Sequence, residues 1–203
     1  MRFGVEMPDT LHILLVWGDE MLNEYFPLDK PYPCNGVTVG VIPPRLFKQE
    51  RDWTCSIACL RTLLSLGTRY DLSIPEEDEF ISRYGIKPGP HYSQEVKTWI
   101  LGLKGEFRFG HEDYDVPDES KVWEMLRDGW SVAVNWLMSY DHWCVILGWY
   151  VLSDAPENNI VQFYDPYYND VRWVHAPDLG VMWQSGNPDG PKRDYFAYRW
   201  GSL

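Results

Sequence analysis

What most constrains the fold of this chain is the change of texture at Gly129. Beyond it come short stretches rich in Val and Trp: Ser131 to Leu137, the almost continuously apolar His142 to Leu152, and Ile160 to Tyr164. Stretches of that length and content read as β-strands. Between the second and third lies Ser153 to Asn159, with Asp, Pro and two Asn. That turn composition folds the second strand back onto the third as an antiparallel hairpin. Val171 to Val174 and Tyr195 to Trp200 are positioned to extend the sheet.

Ahead of Gly129 the spacing is helical. Ile57, Leu60, Leu63 and Leu64 repeat on one face from Cys55 to Leu66, and Gly67 is a natural stop. Ser73, Ile74, Pro75, Glu76 has the form of a capping box, so a second helix is predicted from there to Tyr84, ended by Gly85. Ser93 caps a third, through Val96, Trp99, Ile100 and Leu103, and Asp118 opens a fourth that carries Val122, Trp123 and Leu126 to Gly129. Residues 1–48 hold short apolar runs, Leu11 to Trp17 and Val37 to Ile42, broken by prolines, and read as peripheral strands and loops. The expected architecture is α+β, an N-terminal helical part packed on an antiparallel sheet. One domain is predicted, with an extension over 1–46, a core over 47–170 and a C-terminal sheet extension over 171–203.

With 203 residues, 45% of them hydrophobic and 16% aromatic, the chain can bury one sizeable core. Lys plus Arg number 18 against 30 Asp plus Glu, a net charge of -12 that repels phosphate backbones and anionic lipid. Nucleic acid and membrane are therefore not expected as partners. No apolar stretch approaches the roughly 20 residues that span a bilayer, and the N-terminus lacks the basic start and apolar block of a secretory signal. The expected location is the cytoplasm, with all four cysteines as thiols. Neither CxxC nor HExxH gives metal-ligand spacing, and neither GxGxxG nor a Walker loop is found, so no metal or cofactor is predicted.

Chemistry is concentrated in the run from Gln49 to Leu60. It sets Cys55 at the start of a helix, where N–H groups and the positive dipole end favour a thiolate, with Gln49 six positions earlier. In the predicted hairpin, His142 opens the leading strand and Asp165 closes the returning one, which brings an imidazole and a carboxylate together. Acyl transfer to sulfur needs a nucleophile, a base, an orienter for the base and donors for the oxyanion. Cys55, His142 and Asp165 fill the first three roles; the Gln49 amide and the Cys55 N–H fill the fourth. Asn169 and Asp170 are weaker alternatives as orienter, lying past the strand end. Cys59 and Cys144 sit in apolar periodic segments and read as packing residues, as do Trp99, Trp123 and Trp149. Trp143 is expected to shield the imidazole and its partner from water. His91 is placed at the cleft edge, whereas His12, His111 and His175 have no evident partner.

Together these residues resemble the papain-like cysteine peptidases, most closely the bacterial branch related to bacteriocin-leader-processing, double-glycine peptidases. The resemblance covers Phe47 to Tyr168. It rests on Gln49, Cys55 and Ala58, on Gly129 to Val134 ahead of His142, Trp143, Cys144, Val145, and on Tyr164, Asp165, Pro166, Tyr167. It implies a papain-like fold and hydrolysis of a peptide or isopeptide bond through a thioester. In that reaction Gln49 is the oxyanion donor, Cys55 the nucleophile, His142 the base and then the acid, and Asp165 its orienter. A peptide or protein is the implied substrate, no cofactor is implied, and a free-standing enzyme without an attached transporter is expected. One position departs from the family: Ser56 stands where a glycine usually follows the nucleophile. Two other readings compete, an acyltransferase or transglutaminase-like enzyme with the same residues, and a non-catalytic papain-like module that binds a peptide or protein.

Overall fold

Successive side chains of the strand-rich half point to opposite faces of a sheet, and both faces are covered, which is why those strands read as nearly unbroken apolar runs. The computed structural model describes residues 38–70, 72–110, 119–137, 141–151, 159–183 and 193–200. In chain order the elements are β1 (Thr38–Val39), α1 (Cys55–Leu64), a 3-10 segment (Ser65–Tyr70), α2 (Glu77–Tyr84), α3 (Ser93–Trp99), β2 (Glu106–Phe109) and α4 (Glu119–Arg127). There follow β3 (Ser131–Leu137), β4 (Asp141–Tyr150), β5 (Ile160–Asp165), β6 (Asp170–His175), α5 (Ala176–Met182) and β7 (Tyr195–Arg199). The fold is α+β: the strands pair antiparallel in the order β2-β7-β3-β4-β5-β6, with β1 added beside the end of β4.

One face of the sheet, carrying Ala133, Trp143, Val145, Tyr164 and Phe196, packs against α1 and Phe80, Val96 and Trp99 of the two helices after it. The opposite face, with Val132, Val134, Cys144, Val161 and Phe163, packs against Val122, Met125 and Leu126 of α4 and Leu179 and Met182 of α5. In β4 the facing switches part-way. Cys144 and Ile146 lie on the α4 side, Leu147 returns to the α1 side, and Trp149 is again on the α4 side, because the pairing with β5 slips between Ile146 and Gly148.

Every residue of α1 is buried. Its apolar side contributes about 1.5–3 kcal/mol for each of Ile57, Leu60, Leu63 and Leu64. Its polar side is covered by the incoming segment, which runs antiparallel to the helix: Arg45 N–H donates to Ser65 Oγ at 3.2 Å, and Phe47 N–H to Thr62 Oγ1 at 3.0 Å. Arg61, 3% exposed, stacks its guanidinium on Phe47 at 4.3 Å and pairs with Glu50 and Glu76.

Several boundaries differ from the sequence expectation. The first helix leaves α geometry after Leu64, and Gly67 lies inside the 3-10 segment instead of ending the helix. α2 starts later than the predicted capping box: Glu76 is its N-cap, and Ser73 stays outside. It does end at Gly85, whose φ of 62° is the left-handed conformation that glycine adopts without strain. Tyr92, not Ser93, is the N-cap of α3, with Glu95 Oε2 accepting the Tyr92 N–H at 2.9 Å. Asp118 lies outside the described residues, and α4 runs from Glu119. Residues 171–203 are not all sheet extension, since α5 intervenes. Pro177 is tolerated there because a proline in the first turn lacks only an N–H that has no helical partner anyway. β2 was not foreseen either. It is a four-residue edge strand, too short for its alternation to stand out.

Candidate active site

The covered side of α1 explains how Gln49 reaches the helix mouth. Having bonded Ser65 and then Thr62, the incoming segment arrives one turn at a time at the N-terminus, where Gln49 is 6% exposed. There the carbonyl of Arg51 gathers the turn: it accepts from Thr54 N–H at 3.1 Å, Thr54 Oγ1–H at 2.9 Å and Gln49 Nε2–H at 2.8 Å. The Thr54 hydroxyl is thereby used up on the loop, and no side chain caps the first turn of α1. Gln49 Oε1 is buried without a hydrogen-bond partner. Beneath the loop, the fully buried Glu77 carboxylate accepts from Glu50 N–H at 3.1 Å and pairs with Arg51 at 3.2 Å. Burial raises the Glu77 pKa above its ordinary value, against those hydrogen bonds.

Cys55, the first residue of α1, is 8% exposed, whereas Cys59 and Cys144 are 0% exposed. Of the three thiols among the described residues, Cys55 alone keeps an opening to solvent. Cys34, the fourth cysteine, lies outside the described residues. Burial pushes the Cys59 and Cys144 thiols well up, so both remain protonated at neutral pH.

His142 and Asp165 come together as expected, by a slightly different register. Val145 pairs with Tyr164, so one further step sets Cys144 opposite Asp165, and His142 is the next residue on that face. The two are diagonal neighbours, within reach of a long side chain. His142 Nε2–H donates to Asp165 Oδ1 at 2.9 Å, and the same oxygen accepts from Tyr167 N–H at 2.9 Å and Tyr168 N–H at 3.4 Å. Asp165 is fully buried and its Oδ2 has no partner. With Nε2 engaged, Nδ1 is the nitrogen left for sulfur, and Cys55 is near enough to act on the ring. Burial is the largest influence on this imidazole and pulls its pKa down. The hydrogen bond with Asp165 and the influence of the neighbouring Asp165 and Cys55 outweigh it and carry the pKa from 6.5 to about 10. A pKa raised this far favours the protonated ring at neutral pH, with the Asp165 carboxylate as its hydrogen-bonded partner.

Asn169 and Asp170 do not orient the imidazole. Asn169 Oδ1 accepts from Tyr164 Oη at 2.9 Å, and Asp170 lies 3.7 Å from Arg172. Trp143 does not shield the pair: it follows His142 on a strand, faces α1, and packs on Phe196 with ring centres 4.7 Å apart. The ring beside His142 is Tyr167, edge-on at 6.5 Å and about half exposed. Cys144 is also nearer than expected. Among the described residues, its sulfur with His142 and Asp165 forms the one group of three metal-ligand-type side chains, their atoms within 4.8 Å of one another. The donor set suits a metal poorly, because Cys144 is a protonated core thiol and the other two are committed to each other. The i, i+2 spacing of His142 and Cys144 was the available signal. His91 does reach the cleft edge, with its Nδ1 3.3 Å from Ser56 Oγ. His175 occupies the N-cap position of α5 without a side-chain capping bond, and His12 and His111 lie outside the described residues.

Fold and site define an α+β chain in which an imidazole hydrogen-bonded to a buried carboxylate lies near a helix-terminal thiol. Compared with protein-family models and with curated proteins, the sequence matches none. No helix among the described residues is long and apolar enough to cross a membrane.

Proposed function

We propose that the chain is a cysteine peptidase of papain-like fold that hydrolyses a peptide or isopeptide bond through a thioester on Cys55. The observation that carries the reading is the placement of His142, with Nε2–H held by the buried Asp165 carboxylate at 2.9 Å and the ring near Cys55 at the helix start. An imidazolium beside a cysteine is the environment in which the sulfur acts as a nucleophile.

In the proposed reaction the Cys55 sulfur attacks the substrate carbonyl carbon, and the carbonyl electron pair moves onto oxygen. The proposed donors to that oxyanion are the backbone N–H of Cys55 and the second Nε2–H of Gln49, the first being taken by the Arg51 carbonyl. When the tetrahedral intermediate collapses, the C–N bond breaks and the His142 Nδ1 proton goes to the departing amine. The ring, now neutral, takes a proton from water as the water oxygen adds to the thioester carbonyl. The C–S bond then breaks, releasing the acid and restoring the starting pair. Asp165 holds the ring throughout and remains ionised. A peptide or protein is the substrate class.

The test is mass spectrometry after treatment with a thiol-directed, epoxysuccinyl peptidase inhibitor at neutral pH. Selective modification of Cys55 that disappears in His142→Ala supports the reading. Equal labelling of every accessible thiol, or Cys55 labelling indifferent to His142→Ala, overturns it.

A further inference from the structure

The side chain after Cys55 and both residues flanking His142 are bonded to one dipeptide. His91 Nε2 lies 2.8 Å from the carbonyl oxygen of Lys87, which can only accept, so that nitrogen carries the hydrogen. Nδ1 of the neutral ring is therefore an acceptor, and the Ser56 hydroxyl, 3.3 Å away and fully buried, donates to it. The His91 carbonyl accepts from Trp143 Nε1–H at 2.7 Å. Tyr92 Oη–H donates to Asp141 Oδ2 at 2.9 Å. Ser56 adjoins the sulfur on the helix side, while Asp141 and Trp143 bracket the imidazole on the sheet side. Trp53 and Trp99 hold the His91 ring edge-on, with centres 5.9 Å and 5.2 Å away. Burial lowers the His91 pKa below its ordinary value, which keeps the ring in the neutral form that these bonds require.

We infer that His91 and Tyr92 are positioning residues, a brace between the Cys55 helix and the His142 strand that sets the approach of sulfur to imidazole. The sulfur sits on a helix and the ring on a strand, so their separation depends on how those elements are held apart, and small errors in such a distance are costly. Ser56 gains a purpose here. A glycine after the nucleophile has no hydroxyl to offer His91, whereas the serine ties the nucleophile's own helix turn to the brace. The role rests on the peptidase reading of Cys55 and His142. His91 also borders a pocket of about 520 Å³, lined by Tyr84, Ile86, Lys87, Pro88 and Trp99 among others, to which no occupant is assigned.

The test reads the rate of Cys55 alkylation by iodoacetamide at pH 7, which needs no substrate, in the wild-type chain, His91→Phe, His91→Asn, Tyr92→Phe and His142→Ala, with urea unfolding of each as a control for folding. The brace predicts a rate lowered on the order of tenfold or more in His91→Phe and Tyr92→Phe. It predicts recovery in His91→Asn, whose amide oxygen replaces the acceptor for Ser56. In a His142→Ala background, Tyr92→Phe is expected to have no further effect, a pattern that general loosening of the fold does not produce. If Cys55 is fast in wild type, slow in His142→Ala, and unchanged in His91→Phe and Tyr92→Phe, the brace is overturned and the peptidase reading stands. If Cys55 reacts as an ordinary thiol and ignores His142→Ala, both fall together.

Discussion

The backbone N–H of Gln49 donates to the carbonyl of Pro166 at 3.1 Å, joining the segment that enters the Cys55 helix to the turn that leaves Asp165. These residues are more than a hundred positions apart in sequence. One hydrogen bond fixes the proposed oxyanion donor relative to the carboxylate that orients the imidazole. The turn is rigid in its own right, because Asp165 Oδ1 accepts the N–H groups of Tyr167 and Tyr168. Donor and orienter are thus mounted on one support.

Gln49 is therefore expected to matter for acyl chemistry and not for the nucleophilicity of the sulfur. Gln49→Ala removes a donor to the oxyanion, and hydrolysis of a peptide selected from a library should fall on the order of 10²- to 10³-fold. Alkylation of Cys55 by iodoacetamide develops no oxyanion and should change little. Parallel loss of both rates would show that Gln49 acts by shaping the loop.

Asp165→Asn keeps an acceptor oxygen at 165 and removes the charge. The pKa of His142, carried to about 10 in part by that carboxylate, should fall back toward about 6.5. NMR titration of the ring reads this directly. Peptide hydrolysis at pH 7 should drop on the order of ten- to a hundredfold, as for other residues that orient a functional histidine. An unmoved His142 titration would mean that the carboxylate does not govern the ring.

Cys55, Cys59 and Cys144 should separate cleanly. Cys59 and Cys144 are fully buried and hold their protons, so under native conditions iodoacetamide should modify Cys55 and leave those two untouched. Peptide mapping after brief alkylation, with a urea-unfolded control in which all react, measures the ratio. Early modification of Cys144 would contradict the packing described beneath His142.

Gly85 ends α2 in the left-handed conformation and opens the stretch that carries His91. A Cβ there would meet nothing within 4 Å, so space is not the obstacle. The backbone angle is, at about 1–2 kcal/mol for a residue other than glycine. Gly85→Ala should lower unfolding free energy by about that much in urea titrations, and Gly85→Asn by less, since asparagine tolerates this region.

The strands were the most legible part of the sequence, because burial on both faces wrote them as apolar runs, and Ser131–Leu137 has the predicted bounds. Helix bounds were less so. Gly67 and Ser73 carry signals that tertiary contacts override, since the covering segment fixes the end of α1 through Thr62 and Ser65. The proximity of His142 and Asp165 was legible from hairpin arithmetic, although the slip at Ile146 and Gly148 makes them diagonal instead of opposite. Trp143 was misplaced because adjacency along a strand means opposite faces. The bond from His91 to Ser56 was not legible at all: nothing local links positions 35 residues apart, and only the packing of α3 against α1 brings them together.

The raised pKa of His142 also makes a stability prediction, and its sign follows from linkage. The folded state holds this proton to about pH 10, while the unfolded chain releases it near 6.5. The folded state therefore binds more protons between those values, and stability must fall as pH rises through that window. The contribution is complete below 6.5 and gone above 10. Cys59, Cys144, Tyr164 and Tyr198 are raised as well and act in the same direction, but their losses begin only where the unfolded thiols and phenols ionise, near pH 9 and above. His91, whose pKa burial lowers, acts in the opposite direction near 6.5, so the upper part of the interval up to about 8 belongs mainly to His142. Urea midpoints measured across it should decline in the wild-type chain and decline less in His142→Gln. Cys55→Ser should keep part of the slope, since Asp165 still holds the ring. Identical slopes in wild type and His142→Gln would mean that the ring is not protonated at neutral pH, and the ion pair on which the proposed chemistry depends would be lost.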